Sequence, residues 1–297
     1  SYGSYLLGAA LVNVLAVGVS GAILKILFPH RTLLPFAAGF LTAIWFYPPN
    51  GTPWPEQTAF FFCLTALLMT VFGLTHQRMQ GWIKRMLYFV AGLLLWVAFL
   101  SKQNAGAFFV PVIVLLFLVN SFSRQSKTSS KISLEPKTFL DLLVLAAGWL
   151  VGAVAFALWL LLRSDMANFW QYFVEIPVLK AGSERFPDSI LAWLEAVFLG
   201  RMPAVVTLLT LLSVLVALFF GLLDGSAQDH SSRQRKSYLL ATALAPGLVF
   251  YQNLFTITTN NHPANGVPFV GLLATIALGV TLPSSRQRYR AFRIVLS

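Results

Sequence analysis

Apolar residues in this chain come in long runs separated by short polar stretches. That spacing predicts membrane-crossing helices rather than the amphipathic elements of a water-soluble core. Nine such runs can be drawn: Tyr5–Ile26, Leu33–Tyr47, Ala59–Leu74, Met86–Ser101, Ala105–Val119, Phe139–Leu162, Pro203–Leu223, Tyr238–Ile257 and Val267–Leu282. Several are shorter than the ~20 residues a span needs, so tilt or extension into the loops makes up the length. The stretch from Met86 to Asn120 organises the rest. As one helix at ~1.5 Å per residue it would run about 50 Å, well beyond a hydrocarbon core of ~30 Å. It must therefore turn back, and the polar break is Ser101-Lys102-Gln103-Asn104-Ala105-Gly106. Each arm is then short for a span, which sets the turn at or just below the water interface.

Composition sharpens this reading. The chain is 57% hydrophobic and 10% charged, against about 25% charged in soluble domains, and its mean hydropathy is +0.74. An all-α polytopic membrane protein is expected, with about nine transmembrane helices, interfacial helices in the outer loops, and one transmembrane domain over residues 1–297. The formal charge of +11 would suggest nucleic acid in a soluble protein. Here the basic residues alternate from loop to loop. Sixteen of the 21 Lys and Arg fall on one side, among them Lys25, Arg31, Arg78, Lys84, Arg85, Arg124 and Lys137, and the remaining five are Lys102, Arg163, Lys180, Arg185 and Arg201. The positive-inside rule makes the first side cytoplasmic, the N-terminus outside and the C-terminus inside. The single cysteine, Cys63, lies in an apolar run and has no partner for an internal disulfide. The chain opens on Ser1 without a cleavage-site pattern, and it reads as a fragment or processed form.

The outer loops collect the unusual residues. In the first, Glu56 opens a helix, where a carboxylate is favoured by the helix dipole; it is either a plain helix-start residue or an acid facing an outer cavity. In the second, Lys102 is either a snorkelling interfacial lysine or a phosphate contact, with Gln103 and Asn104 as amide donors beside it and Gly106 allowing close backbone approach. The third runs from Arg163 to about Met202. It holds an aromatic cluster, Asn168 to Phe173, suited to the interface plane, then Arg185 as a second anion contact or a solvated loop charge. The fourth, Gln252 to Gly266, is dense in amides and hydroxyls, and its Asn260, Asn261 and His262 suit hydroxylated ligands such as sugars, unless they serve as caps and turns. No histidine cluster with metal-ligand spacing occurs, so no metal is expected. No phosphate-binding or dinucleotide glycine loop occurs either, so no cofactor is expected, and no serine-hydrolase elbow or zinc-protease motif is present.

The stretch Gly92-Leu93-Leu94-Leu95-Trp96-Val97-Ala98-Phe99-Leu100-Ser101-Lys102, followed by a glycine and Val110-Pro111-Val112-Ile113, resembles a segment of the GT-C integral-membrane glycosyltransferases. The similarity is to their aminoarabinose-transferase and protein-mannosyltransferase-like bacterial branch. There a small-rich helix ends in Thr/Ser-Lys and the next helix carries a proline. The segment Pro263 to Leu278, with Pro268 opening an apolar helix, looks like the same branch. The resemblance implies a hexosyl- or pentosyltransferase of the bacterial inner membrane. It would transfer a sugar from a polyprenyl-phosphate-linked donor to a glycan or lipid acceptor on the outer side, with membrane lipids as further partners and no nucleic acid. It also implies an acidic catalytic residue in an outer loop that follows a first span. That residue has no matching position here and is expected upstream of Ser1, with Glu56 the candidate within this chain.

Two other classes share parts of the pattern. A polysaccharide polymerase or ligase would use the same lipid-linked substrates, but the discriminating long outer loop carries only Arg163, Arg185 and Arg201. A transporter or flippase of lipid-linked substrates would show internal repeats and midplane polar breaks, and neither is visible.

Overall fold

The structure is a computed structural model, and it describes residues 2–29, 31–46, 55–76, 78–125, 136–176 and 179. Every element among the described residues is helical: α1 (Tyr2–Leu27), α2 (Leu33–Phe46), α3 (Pro55–Thr75), α4 (Gly81–Ser101), α5 (Gln103–Gln125), α6 (Pro136–Arg163) and α7 (Met166–Trp170), the last continued by a π-helical turn, Gln171–Glu175. Four of these helices, α1, α3, α4 and α6, are long and apolar enough to cross a membrane. That is the composition of a membrane-embedded protein. The first six expected runs each fall on one of α1–α6. The runs at Pro203–Leu223, Tyr238–Ile257 and Val267–Leu282 lie outside the described residues, so a count of nine spans does as well.

The helix ends follow from local chemistry. α1 stops just before Pro29, and Lys25 in its last turn donates to the Pro29 carbonyl at 3.0 Å. The cation there offsets the negative end of the helix dipole. Pro55 takes the first position of α3, where its missing N–H costs no intrahelical bond. α6 ends at Arg163 in a cap whose left-handed residue is Ser164, at φ 57°. The Ser164 N–H donates to Leu161 O (3.2 Å) and the Asp165 N–H to Leu160 O (3.1 Å). This is the Schellman arrangement, with a serine standing where glycine is the usual residue.

Small residues set the packing. α1 and α2 form an antiparallel hairpin: Gly21 abuts the Pro35 carbonyl, Gly39 lies against Val17, and Asn13 Nδ2 donates to Ala43 O at 3.4 Å. α3 is the central helix, with Ala59, Cys63, Leu64, Ala66, Leu67, Thr70 and Val71 fully buried and packing against α1, α4 and α5. Its hydroxyls fold back on their own helix, Thr70 Oγ1 donating to Ala66 O at 2.8 Å. α4 buries one stripe, Tyr88, Ala91, Gly92, Leu95 and Ala98. Tyr88 lies across Gly73 of α3 and meets Phe117 of α5 edge-on at 4.9 Å. α6 runs alongside α4 in the same direction and crosses it where Gly92 faces Leu145 and Trp149 while Gly148 faces the Phe89 carbonyl. Gly148-Trp149-Leu150-Val151-Gly152 is the small-xxx-small pattern that lets apolar helices approach backbone to backbone. Apart from this seam, the α6 face bearing Leu143, Leu150, Val154, Leu158 and Leu161 is exposed.

Two expectations for the central stretch need correction. Its first arm is not short: α4 has 21 residues, about 32 Å at ~1.5 Å per residue, and is apolar enough to cross a membrane, whereas α5, with 23 residues, has its apolar stretch only at Phe109–Leu118. The helices absorb polar flanks that the apolar count left out, Lys84 and Arg85 in α4 and Asn120 and Ser121 in α5. Long basic side chains snorkel at such ends without breaking the helix. Nor does the turn occupy six residues. Lys102 alone is non-helical, at φ −152° and ψ 107°.

Candidate functional site

The reversal at Lys102 is tight because of Gly106. A Cβ at Gly106 would come within 2.8 Å of Phe99 Cβ and closer still to the Phe99 backbone. With hydrogen there instead, the first turn of α5 lies directly on the last turn of α4. The Lys102 N–H still closes α4 on Ala98 O (2.9 Å), and the Lys102 carbonyl already accepts from Gly106 N–H (3.1 Å). One residue therefore serves both helices. The close approach at Gly106 is between α5 and the Phe99 backbone, whereas the sequence pattern suggests close approach to a phosphate. The turn region also holds Ser101, whose hydroxyl is used up on Val97 O at 2.9 Å.

Lys102 is partly buried, at the end of the bundle where α4 finishes and α5 begins. The positive end of the α5 dipole lies at the same backbone position. The α3–α4 and α4–α5 reversals put the start of α3, with Pro55 and Glu56, at this same end of the bundle. The end of α6 and α7 are there too, because Phe99 and Gln103 both meet Phe173. By position, Lys102 and Arg163 are at this end, and Arg78, Lys84, Arg85, Arg124 and Lys137 are at the opposite one.

One donor of the Gln103 amide is engaged away from Lys102. Its Nε2 donates to the Phe173 carbonyl, in the π-helical turn seventy residues further on. Phe173 is also held by rings: edge-on to Phe99 at 5.7 Å and stacked on Phe169 at 4.6 Å. Phe169 meets Phe156 at 5.3 Å, Phe156 meets Trp96 at 6.2 Å, and Trp96 meets Trp149 edge-on at 4.7 Å. An unbroken aromatic chain thus descends from the reversal into the α4–α6 seam. The Trp96 Nε1 atom is buried within it and has no hydrogen-bond partner. Trp170 and Tyr172, on the other side of the same short segment, are exposed. Arg163 caps the outer end, its guanidinium 5.9 Å from the Trp159 ring centroid.

Of the expected site residues, the fold brings the helix positions of Glu56, Lys102, Gln103 and Asn104 to one end of the bundle. Arg185, Asn260, Asn261 and His262 lie outside the described residues. Among the described residues no group of three His, Cys, Asp or Glu side chains comes together. The aromatic positions Trp96, Trp149 and Phe156 and the cap residue Ser164 were not singled out by sequence reasoning. The seam had a readable signal, the Gly148–Gly152 spacing, but Ser164 had none, because serine does not announce a left-handed backbone. Comparison with known protein families, curated proteins and solved structures finds no match.

Proposed function

We propose that this chain is a GT-C type glycosyltransferase, moving a sugar from a polyprenyl-phosphate carrier to an acceptor at the outer face of a bacterial inner membrane. The observation that carries the reading is the one-residue reversal at Lys102, which puts a lysine immediately before the first residue of α5. In such a transfer the acceptor hydroxyl oxygen attacks the anomeric carbon. The bond from that carbon to the phosphate oxygen breaks, and its electron pair stays on the lipid phosphate. A fixed cation beside a helix N-terminus, in partly dry surroundings, stabilises that growing charge more than water does. The hydroxyl proton passes to a carboxylate acting as general base. Glu56, in the first turn of α3 at the same end, is the described position that offers one.

Half-dry surroundings are also what sugar and isoprenoid chemistry needs. Trp170 and Tyr172 line the end where a carrier phosphate would enter from the headgroup layer, and aromatic rings of this kind favour that depth. On this reading the basic end of the described bundle faces the cytoplasm. The test is transfer from a polyprenyl-phosphate sugar by the full-length protein in proteoliposomes. Lys102→Ala is expected to reduce turnover at least a hundredfold while membrane insertion is retained, and Lys102→Arg to keep a measurable fraction. Unchanged turnover in Lys102→Ala would sink the assigned role.

A further inference from the structure

The segment from Asp165 to Ile176 is fastened in an unusual way. It has no buried residue of its own in either α7 or the π-helical turn. It leaves α6 through Ser164, whose φ of 57° is the one positive value held by a non-glycine among the described residues. Its far end is pinned at Phe173, by the Gln103 side chain and by the Phe99 ring. Gln103 and Phe99 lie immediately after and three residues before Lys102. The helix register also changes at the pin: α7 gives way to the π-helical turn, and the Ile176 N–H closes on Gln171 O, five residues back. Wider turns of this kind recur where a helix has a task besides packing. Segments with little buried surface open at low free energy, so the few fastenings set how often this one opens.

We propose that residues 165–176 form a strap that closes over the Lys102 reversal, hinged at Ser164 and latched by the Gln103–Phe173 hydrogen bond. In the closed form one Gln103 N–H is held in the latch and the Phe99–Phe173 pair walls the turn. When the strap lifts, the Gln103 amide is released beside Lys102 and the end of the bundle opens to the headgroup layer. The strap thus governs access to the position occupied by Lys102. Its purpose rests on the reading of Lys102 as a phosphate contact, but the motion does not.

The test uses the full chain in nanodiscs and no sugar transfer, so its failure is separate from failure of the transferase reading. Amide hydrogen exchange is measured over residues 165–176 and over α4 and α6. Gln103→Leu, which fills the same space without donating, is expected to raise strap exchange about fivefold and leave α4 and α6 unchanged. Phe173→Leu removes the ring contact and serves if the first variant does not assemble. In a Cys63→Ser, Lys102→Cys background, the rate of modification by a membrane-impermeant maleimide is expected to rise by the same factor when Gln103→Leu is added. Unchanged strap exchange in both latch variants overturns the proposal, as does an increase spread evenly through α4 and α6. Faster strap exchange with an unchanged thiol rate also overturns it, because the strap then covers something other than residue 102.

Discussion

Placing a methyl group on Gly148 tests the α4–α6 seam. An added Cβ there would meet the Phe89 carbonyl oxygen, with the Phe89 carbonyl carbon at 2.9 Å and its Cα at 3.1 Å. Those are rigid backbone atoms, and ordinary carbon contacts begin near 3.5 Å. Relieving the contact with the carbonyl oxygen requires the helices to part by about 1 Å or more, and the neighbouring contact of Gly92 with Leu145 and Trp149 parts with them. Overpacking by one methyl costs about 1–3 kcal/mol. Helix propensity works the other way, since alanine is favoured over glycine by about 1 kcal/mol in a helix interior. The net expectation for Gly148→Ala is a loss of about 1–2 kcal/mol, with Gly148→Val losing more. Gly18, inside α1, is the internal reference, because a Cβ there meets nothing within 4 Å. Gly18→Ala should show only the propensity gain, about 0.5–1 kcal/mol. Unfolding of the purified full chain by titrating sodium dodecyl sulfate into mixed micelles, followed by tryptophan fluorescence, measures both. Equal shifts for the two variants would refute the close backbone approach of α4 and α6.

Gly106→Val is expected to disrupt the α4–α5 reversal, since its side chain would enter the Phe99 backbone; the readout is loss of proximity between spin labels at Phe99→Cys and Ala107→Cys, in a Cys63→Ser background. Ser164→Gly should raise the thermal midpoint in detergent by the equivalent of about 1 kcal/mol, because glycine takes the left-handed cap position without a Cβ penalty; a lower midpoint would contradict the cap geometry. Ser20 is buried and its hydroxyl has no partner, so Ser20→Ala should be neutral or stabilising by up to about 1 kcal/mol. A marked loss in the same micellar titration would mean that the hydroxyl is bonded after all.

The helix count through α6 could be read directly, because apolar runs such as Leu33–Tyr47 and Phe139–Leu162 have no competing interpretation once charge is this sparse. Lengths were read less well. Lys84 and Arg85 look like loop residues in a hydropathy pattern, yet α4 begins at Gly81, more than a turn before Met86, and includes them both. The reversal was legible in place but not in form: polarity marked Ser101 to Gly106, whereas backbone proximity of Gly106 to Phe99 decided that one residue suffices. The role of Gln103 was illegible. Its partner is a main-chain carbonyl seventy positions away, and no side-chain pattern encodes which carbonyl a glutamine will reach. The aromatic run from Asn168 to Phe173 was recognisable as a surface-seeking segment, but the inward aim of Phe169 and Phe173 depends on the cap at Ser164, which fixes the exit direction of the chain.

The single-residue link between α4 and α5 has a consequence for biogenesis. Two helices joined by a single residue leave no hydrophilic loop to hold the first in place while the second emerges. They are best released from the translocon side by side, as a preformed pair. In the proposed orientation Lys102 at the tip crosses the bilayer once, carried by two helices of 21 and 23 residues rather than by one. A lysine held at the centre of a single span costs roughly 2.5–3.5 kcal/mol, and separating the pair with a long hydrophilic insert after Lys102 should leave the first arm stranded on the synthesis side.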